Sequence, residues 1–150
     1  MIGIHETIPG YEKLMLLEEK EKLKEGYIRQ PLDHSTLLVS QEIERQIGSN
    51  RVFDEVLKTA LSEISTILNE EWHGKIGYII EVSIVQDYEY PDWRDTVITI
   101  KVPIKNPRYV VNLWYTVSDK VWKKVDSIKE NVEEIKRIRD NTRIAFDILG

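Results

Sequence analysis

The sequence predicts an α+β fold: two segments of period-two hydrophobicity, at about 76–88 and 96–104, form an antiparallel hairpin, and long apolar stripes of helical period lie before and after it. A third observation sets the boundaries, because Pro-Gly, Ser, Asn-Pro and isolated glycines fall between these segments, where caps and turns need them. The expected architecture is a small antiparallel sheet packed against helices, with a long or kinked C-terminal helical segment at about 107–147, all within one globular domain spanning 1–150.

The first element is a charged helix over about 11–25, opened by Pro9-Gly10 and closed by Gly26, which takes the left-handed capping conformation more easily than other residues. Its second half, Glu18-Glu19-Lys20-Glu21-Lys22-Leu23-Lys24-Glu25, mixes charges at a density that reads as a solvated face. Residues 27–39 contain Pro31 and the polar cluster Asp33-His34-Ser35, and read as loop with short extended pieces, Leu37-Leu38-Val39 being a candidate edge strand. Ser40 is placed to cap a short helix ending at Gly48.

Val52, Phe53, Val56, Leu57, Ala60, Leu61, Ile64, Ile67, Leu68 and Trp72 then recur every three or four residues, the stripe of a helix packed on a core. Ser49 or Asn50 caps this helix and Gly74 terminates it. In the first strand Ile76, Tyr78, Ile80, Val82 and Ile84 share one face; in the second Ile98, Ile100, Val102 and Ile104 do. Pro103 lacks a ladder donor and places the second strand at an edge or at its fraying end. Asn106-Pro107 starts the C-terminal helix. From Val110 to Ile138 an apolar seam of three- and four-residue steps reads as coiled-coil-like, and Ser127-Ile128-Lys129-Glu130 matches a capping box that divides it near Asp126. An unbroken helix over 107–147 would be roughly 60 Å long. It either kinks back onto the sheet or projects and pairs with a second chain.

The 150 residues contain no cysteine, which removes disulfides, thiolate metal sites and cysteine nucleophiles. No apolar run approaches the ~18 residues needed to cross a bilayer, and the amino terminus lacks a signal-peptide pattern, so the expectation is a soluble cytoplasmic protein without a membrane role. The balance of 20 isoleucines, 17 glutamates and 13 lysines is that of heat-adapted proteins, and AT-rich genomes give the same bias. Residues 1–100 carry 10 basic and 19 acidic side chains and residues 101–150 carry 11 and 7, so the two parts bear formal charges of −9 and +4.

No catalytic, cofactor or metal residues are assigned. Glu70-Glu71-Trp72-His73 has the Glu-x-x-His spacing of di-iron bundles, but as a single copy at a helix end, where His73 more simply bonds the last carbonyls of its helix. Asp33-His34-Ser35 holds triad residue types side by side, from where their side chains diverge, and reads as a turn. His5 lies in the terminus. Pro91-Asp92 with Lys101 resembles part of the signature of restriction-endonuclease-like nucleases, yet Thr99 stands where a second carboxylate must help hold Mg²⁺. The isolated glycines form neither a P-loop nor a dinucleotide fingerprint.

Three surfaces remain. The hairpin tip alternates Tyr88, Tyr90 and Trp93 with acidic residues around Arg94, the residue types that dominate protein-binding hot spots. The seam residues Trp114, Val117, Val121, Ile128, Val132 and Ile135 form the expected homodimer interface, because the stripe is longer than a two- or three-stranded sheet can cover. Lys120, Lys123 and Lys124 form a basic stripe suited to phosphates, although Asp119 and Asp126 interleave with it. The leading expectation is a non-enzymatic interaction, accessory or regulatory module that self-associates as a homodimer and meets a further protein partner, with no cofactor. The alternative is nucleic-acid binding through the basic C-terminal helices.

Overall fold

A computed structural model describes residues 7–32, 35–86, 88–90 and 94–149. In chain order the elements are α1 (Tyr11–Lys24), β1 (Ile28–Leu32), β2 (Ser35–Val39), α2 (Gln41–Ser49), α3 (Arg51–Trp72), β3 (Ile79–Gln86), β4 (Arg94–Val102), α4 (Pro107–Asp126), α5 (Val132–Asp140) and β5 (Thr142–Ile148). The fold is α+β, with one five-stranded sheet in the order β1-β2-β3-β4-β5.

The caps follow local chemistry. Ser40 Oγ accepts from the Ile43 amide at 3.3 Å, Asn50 Oδ1 from the Phe53 amide at 3.0 Å and Asn106 Oδ1 from the Tyr109 amide at 3.2 Å, so each side chain satisfies a donor that has no partner within its helix. At the far end of α3, His73 and Gly74 both take positive φ, and the Gly74 amide bonds back to the Asn69 carbonyl at 3.1 Å.

The sheet is mixed rather than antiparallel. β1–β2 and β3–β4 are antiparallel pairs, whereas β2–β3 and β4–β5 run parallel. Parallel neighbours need a crossover, and α2 with α3 supplies one, α4 with α5 the other. Three expectations are corrected. The C-terminal helical segment does not reach residue 147: α4 ends at Asp126, α5 ends at Asp140, and the chain re-enters the sheet as β5. The strand near Leu37 is no edge, because β1 lies outside β2; β4 is interior, and Pro103 lies just beyond its end, the second of the two positions expected for it. Ser127 does not cap α5 either; its hydroxyl donates to the Lys124 carbonyl at 2.6 Å, and Asn131 precedes α5 in a left-handed conformation.

Side chains on successive strand positions face opposite ways. One face carries Leu37, Val39, Tyr78, Ile80, Val82, Ile98, Ile100, Val102 and Ile144, which pack with the stripes of α3 and α4 into the core. Where α3 ends, Trp72 stacks at a tilt on Tyr78, and its indole N–H donates to the Tyr109 hydroxyl of α4 at 3.0 Å. The other face carries Thr36, Leu38, Ile79, Glu81, Val97 and Lys101, and α1 lies over part of it.

Candidate functional site

The surfaces expected from sequence fall in different places. At the hairpin tip Tyr88 is fully exposed and Tyr90 largely so, while Arg94, the first residue of β4, pairs with Glu42 of α2 at 3.3 Å. Trp93, with Asp87, Pro91 and Asp92, lies outside the described residues, as do His5 and the Asp33-His34 turn. His73 is exposed, and among the described residues no group of histidine and carboxylate side chains is arranged to hold a metal ion.

The seam is divided by burial. Val117 and Val121 are completely buried and Ile135 nearly so, all inside the chain's own core. Trp114 and Ile128 are partly covered by the same core, and Val132 alone is exposed. A seam running the length of these helices presumes a two- or three-stranded sheet; five strands cover most of the stripe. The basic stripe is exposed, and Lys123 pairs with Asp119 one turn earlier at 3.0 Å. Beyond it Arg139 of α5 pairs with Asp126 at 3.2 Å and lies over the Trp122 ring. Interleaved ion pairs of this kind lower the net field that a phosphate would meet.

Three other arrangements come from the topology. A cavity of about 700 Å³ opens where β3 ends and β4 and β5 begin, lined by Gln46, Asn50, Arg94, Asp95, Arg137 and Asn141 among others. Its arginines are engaged, Arg94 by Glu42 and Arg137 by Glu134 at 3.6 Å.

Beneath α1 is a buried charge network. Lys101 of β4 reaches Glu18 and, at 3.5 Å, Glu81 of β3; Lys22 reaches Glu81 at 3.0 Å; and the Thr36 hydroxyl donates to Glu19. Burial alone would pull the Lys22 amine below its usual value, but the hydrogen bond and charge of Glu81 outweigh it and hold the amine well above. Burial followed by the Glu81 charge raises the Tyr27 phenol, which Lys22 and a hydrogen bond with Ser83 pull partly back. The carboxylates beside Lys101 are therefore taken up in holding α1 to the sheet.

The third arrangement is the β5 edge. β5 alternates Thr142, Ile144, Phe146 and Ile148 on the helix side with Arg143, Ala145 and Asp147 on the open face. Beside it, the Trp114 indole N–H donates to the Ile144 carbonyl at 2.7 Å, and Trp114 packs edge-on to Tyr115. Val111 and Tyr115 of α4 stand 50% and 64% exposed along this side, and a groove lined by Val85, Val97, Val111, Trp114, Ala145 and Phe146 runs past the strand. Sequence reasoning placed Arg143, Ala145 and Asp147 in a helix. The signal that finds them is the strict alternation from Thr142 to Ile148, which overrides the helical spacing ending at Ile138.

Compared with protein-family models, curated proteins and solved structures, the chain matches none. No helix among the described residues is long and apolar enough to cross a membrane.

Proposed function

We propose that the chain is a non-enzymatic protein-interaction module, an accessory or regulatory component of the cytoplasm, that self-associates through the β5 side of its sheet. The observation supporting this reading is the difference between the two sheet edges. β1 carries Pro31, Arg29 and Gln30 on five residues, the composition with which an edge resists pairing. β5 is longer, has no proline, and is flanked by the exposed apolar side chains of Val111 and Tyr115. An edge strand with no outer strand partner among the described residues, beside exposed apolar side chains, is the form that strand-adding interfaces take.

The test is size-exclusion chromatography with light scattering, with absorbance read at two wavelengths across the peak. The expected result is a mass near twice 17.7 kDa that falls to one chain in the Val111→Glu/Tyr115→Glu variant, with no change in helix content. A wild-type monomer at all concentrations overturns the reading. Nucleic acid co-eluting at low salt, and lost on changing Lys120, Lys123 and Lys124 to Ala, favours the alternative of a nucleic-acid-binding protein.

A further inference from the structure

We infer that two copies of the chain join edge to edge, with β5 antiparallel to β5 in a single register centred on Ala145, giving a continuous ten-stranded sheet. The inference rests on the self-association proposed above and specifies its geometry.

Backbone direction comes first. The Asn141 carbonyl accepts from the Thr96 amide at 2.9 Å and the Leu149 amide donates to the Val102 carbonyl at 2.8 Å, so odd-numbered positions of β5 turn their backbone groups toward β4. In a parallel ladder the intervening residues then turn both groups outward. Ile144 and Phe146 are those residues at the middle of the strand. Placed antiparallel about Ala145, Ile144 of each copy faces Phe146 of the other, and each such pair exchanges two backbone hydrogen bonds. The Ile144 carbonyl already accepts from Trp114, but an amide oxygen has two lone pairs and retains one.

Side chains select the same register. On the open face Arg143 of each copy meets Asp147 of the other, one opposite-charge pair on each side of the axis. Shifting the strands by two residues moves the axis to Ile144 or Phe146, sets Arg143 or Asp147 opposite Ala145 and loses both charge pairs; a shift of four centres it on Arg143 or Asp147 and sets like charges face to face. On the helix side Ile144 meets Phe146, an aromatic–aliphatic pair, and the exposed Val111 and Tyr115 are brought to the boundary between the copies. Ala145, on the axis, is small enough for close approach. Arg143 also lies 3.4 Å from Asp95 of its own chain, and its fork of donors serves both carboxylates. The guarded β1 edge closes both outer ends, so assembly stops at two.

The chain has no cysteine, so single-cysteine variants report the register directly. At a non-hydrogen-bonded pair the Cα atoms stand about 4.5 Å apart, within disulfide range. Ala145→Cys is expected to give a disulfide-linked dimer on mild oxidation, whereas Arg143→Cys and Asp147→Cys cross-link only when the two variants are mixed. Independently, Arg143→Glu is expected to weaken dimerisation about tenfold by opposing Asp147, and adding Asp147→Arg to restore it. A dimeric mass without cross-linking of Ala145→Cys, or dimerisation unchanged by Arg143→Glu, overturns this register and leaves self-association standing. A monomeric wild type overturns both.

Discussion

At the residue scale, single side chains mark where the chain is committed to itself. Val121 sits on the helical stripe that the sequence displays, but its partners are strands brought together by the topology, so burial of this residue was legible and the identity of what buries it was not. Val121→Ala is expected to cost about 2 kcal/mol, the loss of two buried methyl groups plus a small cavity, and to lower the urea midpoint without changing the mass in solution. Trp114 does a different job. Its ring lines the groove beside β5 and its N–H holds the Ile144 carbonyl. Trp114→Phe keeps most of the apolar surface and removes the donor, so about 1 kcal/mol should be lost, read in the same urea titration. The caps at Ser40, Asn50 and Asn106 were readable because each satisfies a local rule within three residues of itself.

At the scale of elements, legibility followed the range of the interactions that decide each one. The α+β class and the long stripe of α3 are written in local periodicity. The mixed sheet is not, because β1 and β2 are short strands whose place depends on a crossover of two helices, and β5 follows directly on a helical seam. α1 shows the limit most clearly. Of its charged second half, read as a solvated face, Lys20, Glu21, Lys24 and Glu25 are exposed, but Glu19 is buried and Glu18 and Lys22 are joined to the sheet, while Leu16 and Leu17 stand 62% and 54% exposed. No stripe in the helix announces this, since the partners Glu81 and Lys101 lie far along the chain. Lys101→Met strands Glu18 and leaves Glu81 with Lys22 alone; the expected cost is about 2 kcal/mol, between exposed and fully buried pairs. Hydrogen exchange should quicken in α1 and remain unchanged in α3.

At the scale of the whole molecule, the titrating groups under α1 set the alkaline limit. Tyr11, Tyr27 and Lys22 all have folded-state values raised above their usual 10.0, 10.0 and 10.5. A raised value means that the folded state holds its proton more tightly, so the associated stability is fully present below these values and is lost as pH climbs past them. Thermal midpoints should therefore be level from neutrality to about pH 9.5 and fall beyond it, less steeply in Tyr27→Phe. The same network bears on the order in which the molecule assembles. Glu18 and Lys101 are 83 residues apart, so this tie between α1 and the sheet cannot form until β4 is in place. That long-range tie is expected to form late, after the folding barrier is crossed. Glu18→Gln should accordingly hasten unfolding and leave the refolding rate as it is, a pattern that stopped-flow kinetics resolves in one pair of chevron limbs.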